Sequence, residues 1–194
     1  GVSGDFYDFY HRNNKLQGLS LFDVSGHGVA SALITILAKP VIFRNFNAFA
    51  DERPGQILKA SHEDLLEQLE EVNIYITGVL LRMNKNIVEY VNAGHPDILH
   101  KEYSTGKVRA ITDKEGNFRG GPLGIGSIKL KYNTLKFPVA ENDFIVIYSD
   151  GLTETRNING ISYGSIRLKE SIKNINKTDA AEILKSLLED FNRF

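Results

Sequence analysis

Three aspartates in this sequence, Asp5, Asp23 and Asp150, follow short runs of apolar or small residues and have glycine or serine close by. None of them has a lysine or arginine within five residues along the chain. Carboxylates that are buried together without cationic partners repel one another and take up protons, whereas a divalent cation keeps them ionised. The three aspartates therefore predict a site for a hard metal cation.

The chemistry of such a site follows from its ligands. Because the chain has no cysteine, any metal must use oxygen or imidazole ligands, and all-oxygen ligation favours Mg²⁺ or Mn²⁺ over zinc. Two such ions about 3.5–4 Å apart lower the pKa of a bridging water and neutralise charge on a phosphoryl group during in-line displacement. The prediction is a site for two Mn²⁺ or Mg²⁺ ions that acts on a phosphoryl group.

Asp23 needs a rigid element before it, and the run Gly18–Phe22 supplies one. This run is apolar on both faces, which is typical of an interior strand. Gly26 and Gly28 then allow a tight turn into a helix that begins near Val29, and the free N–H groups of that helix suit a phosphate. The alternative is that Asp23 only caps the helix, because aspartate is a common N-cap.

The first ten residues predict a strand. It pairs with Leu16–Phe22 through the polar connection His11–Lys15, in the manner of a hairpin. We expect this hairpin to bring Asp5 close to Asp23.

Asp150 follows the same pattern as Asp23. The run Asp143–Asp150 is apolar on both faces and predicts a second interior strand that ends in a carboxylate. Pro40 is expected to kink or restart the first helix, and the polar segment 112–121 is expected to be a mobile loop.

Strands joined by short connections, with helices between them and at the end, favour an α+β layered sandwich. The other predicted elements are strands over 74–83, 87–93, 97–102 and 128–137, a helix that begins at 51–54, a helix over 164–172, and a last helix capped by Asn176 or Thr178.

Composition limits the possible functions. A chain of 194 residues that is 42% hydrophobic fits one globular domain. The formal net charge of −1 argues against general nucleic-acid binding, and the absence of cysteine excludes a disulfide scaffold. No uninterrupted apolar run reaches the roughly 20 residues that span a bilayer, and no signal-peptide pattern opens the chain. We expect a cytoplasmic domain without membrane insertion, cut from a longer polypeptide since it begins with glycine.

Several motifs then carry a family resemblance. In order they are Ser3–Asp8, Asp23–Gly28, Asn92–Pro96, Pro122–Gly124, Ser149–Glu154, and Tyr163-Gly164 followed by Arg167-Leu168. In this order and spacing they resemble the bacterial PPM-type metal-dependent serine/threonine phosphatases of the sporulation stage II protein E and sigma-B-regulator branch. The resemblance covers nearly the whole chain. It implies a four-layer α-β-β-α sandwich of two antiparallel sheets flanked by helices, with the metal centre at one edge.

The resemblance also implies a role for each carboxylate. Asp23 matches the ligand that bridges two metals, Asp5 matches a ligand of the second metal, and Asp150 matches a ligand of the first, while the backbone carbonyl of Val24 completes part of the shell. Such phosphatases usually close with a further strand that carries another aspartate ligand, and this chain stops at Phe194 before any such strand. We therefore expect residues 1–194 to form a single PPM-type domain that is truncated at both ends and lacks the closing C-terminal strand.

Five further residues are expected near the metal shell or the substrate: Asp8, His27, Asn92, His95 and Glu154. Either histidine could protonate a leaving alkoxide, since imidazole titrates near neutral pH, or could instead hold the loop backbone. Asn92 and Glu154 are interpreted as supports of the ligands or as substrate contacts, with turn capping or solvation as the alternative. Asp8 either reaches a metal through water or lies on the surface of the hairpin.

The resulting hypothesis is a phosphatase that hydrolyses phosphoserine or phosphothreonine on a small regulatory protein of the anti-anti-sigma type, by a metal-activated water and without a covalent phosphoenzyme. An upstream sensor or receiver domain is expected in the full-length protein, and a homodimer is left open. One alternative is an inactive pseudophosphatase that binds a regulatory partner. Another is a metal-dependent phosphodiesterase for nucleotides, which the absence of a basic or aromatic platform for a nucleobase disfavours.

Overall fold

The structure is a computed structural model that describes residues 4–113, 118–126 and 130–194. The chain divides into two compact units, one formed by the residues up to His95 with Thr112–Pro138, the other by Pro96–Ile111 with Val139–Phe194. The elements of the first unit are β1 (Asp5–Arg12), β2 (Lys15–Val24), α1 (Val29–Ala48), α2 (Pro54–Glu71), β3 (Ile76–Asn84), β4 (Ile87–Ala93) and β7 (Leu135–Pro138). The elements of the second unit are β5 (Leu99–Lys101), β6 (Val108–Ala110), β8 (Phe144–Val146), α3 (Asp150–Glu154), α4 (Gly164–Lys173) and α5 (Ala180–Arg193).

The sheet of the first unit has the order β1-β2-β3-β4-β7, and every neighbouring pair is antiparallel. β2 lies between β1 and β3, so the prediction of an interior strand before Asp23 is confirmed. Its side chains alternate, with Phe22 and Val24 buried and Asp23 half-buried on the other face. Gly78 on β3 is required by this packing, because a Cβ there would lie 1.9 Å from the ring of Phe22.

The β1–β2 connection is tighter than the predicted five-residue turn. Asn13 and Asn14 both have positive φ, 51° and 59°, and they form the two-residue turn between Arg12 and Lys15, which pair with each other. Two positive φ values in succession match a type I′ turn, whose twist suits a hairpin and which asparagine tolerates well. The strands therefore extend further than the apolar pattern indicated.

α1 runs as one helix from Val29 to Ala48 with Pro40 inside it, so the predicted restart of the helix at Pro40 is wrong. Proline removes one N–H donor, which would have bonded the carbonyl of Ile36. Ile36 is 70% exposed, so water can satisfy that carbonyl. By length and composition alone, α1 could cross a membrane. This is a weak indication, because core helices of soluble proteins meet the same criteria. The absence of membrane insertion stays a prediction.

α2 begins as the sequence predicts, with Pro54 at the first position of the helix. Its apolar stripe packs with α1 on the sheet, and this stripe is fully buried: Ile57, Leu58, Leu65 and Leu69. The prediction of a strand over 128–137 is partly wrong, because β7 covers only Leu135–Pro138. Residues 127–129 of that segment, and residues 114–117 of the expected mobile loop, lie outside the described residues.

The second unit has a sheet of order β6-β5-β8, again antiparallel. Leu99 and Val146 from this sheet pack with Tyr163, Leu168 and Ile172. The predicted interior strand Asp143–Asp150 is wrong in length and position, because β8 covers three residues and lies at the edge of the described sheet.

The cap of α5 also differs from the prediction, because the side chain of Asp179 accepts hydrogen bonds from the backbone N–H groups of Ala181 and Glu182. Two antiparallel sheets together with helices confirm the α+β fold class.

Candidate metal centre

Asp5 and Asp23 are direct neighbours in the sheet of the first unit. The β1–β2 register pairs Asp5 with Asp23, and the β2–β3 register pairs Asp23 with Thr77. Residues directly opposite one another in antiparallel strands lie on the same face, with Cβ atoms about 4.5–5.5 Å apart. Asp5, Asp23 and Thr77 therefore form a row across the ends of three strands.

The backbone at the start of β1 is held by two hydrogen bonds to one carbonyl. The Gly4 carbonyl accepts from the N–H of Val24 at 3.3 Å and from the Thr35 hydroxyl of α1 at 3.2 Å. Both contacts tie the residue before Asp5 to the end of β2 and to the first helix. The position of Asp5 is thus set by three elements and not by the hairpin alone.

Gly4 also leaves space beside the carbonyl of Val24. A Cβ added to Gly4 would lie 2.7 Å from the Val24 carbonyl oxygen and 3.2 Å from the side chain of Ser31. Any other residue at this position would press on that oxygen. Glycine therefore lets the start of β1 pass close to the Val24 carbonyl, next to the two aspartates.

These groups fit a hard divalent cation. Two carboxylates and a backbone carbonyl supply only oxygen ligands, which Mg²⁺ and Mn²⁺ prefer. Among residues 4–113, 118–126 and 130–194, no group of three or more histidine, cysteine, aspartate or glutamate side chains is gathered for a metal. Asp5, Asp23 and the Val24 carbonyl are the groups of the first unit that would hold such an ion.

The loop between Asp23 and α1 shows that Asp23 does not cap the helix. The N-cap residue of α1 is Gly28, and it makes no side-chain hydrogen bond as a cap. Gly26 and Gly28 have φ values of 91° and 79°, which only glycine adopts freely. His27 between them is exposed. The capping alternative for Asp23 is therefore wrong.

Asp150 lies in the second unit, where its setting differs from the prediction. β8 ends at Val146, and Asp150 is the first residue of the short helix α3, which Ser149 precedes as the N-cap residue. Its side chain is exposed, as is that of Glu154 at the other end of α3. Asp150 is thus presented by a helix start and not by the end of an interior strand.

Asp8 lies three residues after Asp5 on β1, and so on the opposite face of the strand. Its Oδ2 lies 3.8 Å from Nζ of Lys39 on α1, and its Oδ1 accepts from the N–H of Phe9. Asp8 therefore belongs to a partly exposed ion pair on the helix side of the sheet.

Asn92, near the end of β4, and His95, just after it, are buried and hydrogen-bonded to each other. The His95 N–H donates to Asn92 Oδ1 at 2.8 Å, and Asn92 Nδ2 donates to the His95 carbonyl at 2.9 Å and to the Tyr90 hydroxyl at 2.8 Å. Asn92 and His95 are 0% and 1% exposed. The turn that they close contains Gly94, with φ of 74°. Burial keeps His95 from contact with a protein substrate, and its bonds are those of a residue that holds the loop.

Thr77 is a residue of this site that the sequence motifs did not indicate. Its hydroxyl lies 3.0 Å from Nδ1 of His95, and the register places it beside Asp23. No sequence motif marks Thr77, because only the pairing of β2 with β3 places it beside Asp23.

Known proteins share sequence and fold with this chain. The family model for stage II sporulation protein E (SpoIIE) matches residues 14–194. Phosphoserine phosphatase RsbP of Bacillus subtilis is 27% identical over 158 residues, which cover 79% of this chain and 37% of that protein. The chain spans less than half the length of each of the curated relatives that it matches.

Solved structures share the fold. The SiaA-PP2C domain of Pseudomonas aeruginosa matches with a TM-score of 0.83 at 19% identity. The match covers 100% of this chain and 74% of the chain of that structure. RsbX in complex with magnesium has a TM-score of 0.65 at 15% identity, over 97% of this chain and 80% of its own. Because the family model matches nearly the whole chain, we conclude that the chain belongs to the stage II sporulation protein E family.

Proposed function

We propose that this chain is a metal-dependent protein serine/threonine phosphatase, which hydrolyses phosphoserine or phosphothreonine on a bacterial regulatory protein. The observation that carries the proposal is the register that sets Asp5 beside Asp23, with Gly4 packed closely against the Val24 carbonyl. A relative of the same family is named a phosphoserine phosphatase, which supports this activity over other phosphoryl chemistry.

Each ligand has a distinct task in this proposal. By the family resemblance, Asp23 would hold both ions, Asp5 would bind one of them and Asp150 the other, with the Val24 carbonyl as a neutral ligand. Two Mn²⁺ or Mg²⁺ ions would supply an activated water and charge neutralisation at the phosphoryl group. The name of one structural neighbour, RsbX in complex with magnesium, supports a metal requirement. No cysteine is available as a nucleophile, and we propose direct hydrolysis without a covalent phosphoenzyme.

The surface beside Asp5 suits a protein substrate. Tyr7 and Phe9 follow Asp5 on the same face of β1 and are 64% and 51% exposed, with their rings edge to face at 5.7 Å between centroids. Exposed aromatic side chains of this kind are enriched at protein interfaces. They also supply an aromatic surface that the sequence did not indicate for a nucleobase, so the phosphodiesterase alternative is tested directly below. We propose that the substrate is a folded phosphoprotein of the anti-anti-sigma type, and that a further sensor or receiver domain belongs to the full-length protein, in the cytoplasm.

Phosphate release from a phosphoserine peptide, measured while Mn²⁺ is titrated, tests the proposal. We expect turnover that depends on Mn²⁺ and is lost in Asp23→Asn, whereas Asp51→Asn, the same change at an exposed position between α1 and α2, leaves it intact. Turnover of a phosphodiester such as bis-p-nitrophenyl phosphate without turnover of the phosphopeptide would point to the phosphodiesterase. Mn²⁺ binding and phosphopeptide binding without any hydrolysis would point to the pseudophosphatase.

A further inference from the structure

We infer that His95 and Thr77 are positioning residues for Asp23, which they hold through a hydrogen-bond relay. The inference rests on the proposed function, since it assigns Asp23 to the metal. Neither residue would contact the metal or the substrate.

The first step is the row that ends in His95. Thr77 is the register partner of Asp23 on β3 and therefore lies on the same face of the sheet. On the side away from Asp23, its Oγ1 lies 3.0 Å from His95 Nδ1. The order along the row is thus Asp5, Asp23, Thr77 and His95.

The second step is that His95 has little freedom to move. Its backbone N–H and carbonyl are both bonded to the side chain of Asn92, and the imidazole is 1% exposed. Breaking its bond to Thr77 would leave a buried ring nitrogen without that partner, which costs about 1–3 kcal/mol. The imidazole therefore fixes the Thr77 hydroxyl rather than the reverse.

Backbone contacts hold the same turn against the sheet from two sides. Gly78, the residue after Thr77, pairs with Gly94 as a parallel bridge, and Ala93 pairs with Gly120 in the same way. The Gly120 N–H donates to the Asn92 carbonyl at 2.9 Å. His95 is thereby kept beside Thr77 by its main chain as well as by its side chain.

The third step concerns the direction of the hydrogen bonds. A threonine hydroxyl has one hydrogen, so it can donate to only one neighbour at a time. If His95 donates Nδ1–H to Thr77 Oγ1, the hydroxyl hydrogen is left for an acceptor further along the row, where the register places Asp23. A hydrogen bond to a charged carboxylate is the stronger use of that hydrogen. The relay then runs from His95 through Thr77 to Asp23 and fixes the rotation of the carboxylate.

The consequence is a preorganised ligand. Groups that orient a metal ligand from behind commonly change metal affinity by about 10–100-fold when they are removed. In this chain the orienting groups come from β3 and from the turn after β4, so the motif Asn92–Pro96 would serve the metal site without touching it.

Substitutions at Thr77 give a matched test, with Mn²⁺ affinity measured by calorimetry. Thr77→Val keeps the shape but removes the hydroxyl, and we expect it to weaken Mn²⁺ binding by about 10–100-fold. Thr77→Ser keeps the hydroxyl and should stay within about 3-fold of the wild type. At His95, Asn retains a donor near the position of Nδ1, so His95→Asn should weaken binding less than His95→Leu. Equal Mn²⁺ affinity in Thr77→Val and the wild type would overturn the inference.

A measurement on the unaltered, metal-free protein covers the case in which a variant fails to fold. In ¹⁵N NMR spectra of the imidazole, we expect Nδ1 of His95 to carry a proton, and an unprotonated Nδ1 would overturn the relay. The unfolding midpoint of each metal-free variant separates loss of stability from loss of affinity. If Asp23→Asn also leaves Mn²⁺ affinity unchanged, the proposed function itself fails; if only Asp23→Asn weakens binding, the relay alone fails.

Discussion

Asp5 lies directly opposite Asp23 in the antiparallel pairing of β1 with β2. Like charges in directly opposed positions destabilise a sheet, and a cation between the two carboxylates reverses this effect. This pairing links stability to metal binding. The two carboxylates should lower the free energy of unfolding of the metal-free protein and raise that of the metal-bound protein.

The first prediction concerns this pair. Asp23→Asn should abolish tight Mn²⁺ binding and raise the free energy of unfolding of the metal-free protein by up to about 1 kcal/mol, because repulsion from Asp5 is removed. Denaturant titrations at low and high salt check this, since the gain should shrink as salt screens the charges. A lower stability of the metal-free variant at low salt would contradict it.

A second prediction concerns the glycine beside the Val24 carbonyl. Gly4→Ala places a methyl group where the distance to the Val24 oxygen would be 2.7 Å, so the carbonyl must shift and Mn²⁺ affinity should fall by about tenfold or more. Val24→Ala is the contrasting variant, because it removes a buried side chain but keeps the carbonyl. It should lower the unfolding midpoint and largely retain Mn²⁺ affinity in calorimetric titration; the opposite ranking of the two affinities would refute the role of the carbonyl.

The third prediction concerns a buried lysine in the second unit. The Nζ of Lys101, which is 2% exposed, donates to the carbonyls of Ile172, Lys173 and Ile175 at the end of α4. Burial lowers the pKa of this lysine, and the three carbonyls keep the amino group satisfied. Lys101→Met should destabilise the protein by about 1–3 kcal/mol, because buried carbonyls lose their donor.

Denaturant unfolding of this variant is compared with that of Lys107→Met, which makes the same change at an exposed position and should alter stability by less than about 0.5 kcal/mol. Equal stability of the two variants would show that Lys101 does not hold the end of α4.

A fourth prediction is a pH dependence that arises at Asp143. Burial raises the pKa of this carboxyl, but hydrogen bonds from the N–H groups of Ala140 and Tyr103 and from His100 outweigh it, so the pKa lies below its ordinary value. A carboxyl with a lowered folded pKa adds stability above its unfolded pKa of about 3.9, and this stability is lost as the pH falls through the folded value.

Asp143→Asn should therefore be less stable than the wild type at pH 7, and the difference should narrow below about pH 4. Urea titrations at both pH values measure it, with the exposed neighbour Glu141→Gln as the control. A difference that widens in acid would mean that the pKa of Asp143 is raised.

The sequence alone determined the part of the site that depends on local pattern. Gly18–Phe22, apolar on both faces, indicated an interior strand that presents Asp23, and the polar segment before it indicated the hairpin that brings Asp5 alongside. The order of the motifs indicated the family that the match over residues 14–194 shows. These features were predictable because alternation, turn residues and motif spacing are carried by neighbouring residues.

The local sequence pattern did not predict the structure where packing or contact with solvent determines it. The apolar stretch before Asp150 reads as a long interior strand, yet only Phe144–Val146 pair with β5, and Asp150 begins a helix. Pro40 predicts a kink or a restart, yet α1 is one helix, and Ile36, whose carbonyl loses its donor to the proline, is exposed.

Tertiary structure alone decided the surroundings of Asp23. Thr77 lies 54 residues after Asp23 in the sequence, and His95 lies 18 residues after Thr77. Strand register and the hydrogen bonds between Asn92 and His95 nevertheless place them in one row. No local pattern encodes such a row, because the register between β2 and β3 is fixed by which side chains the whole sheet can bury together, such as the ring of Phe22 over Gly78.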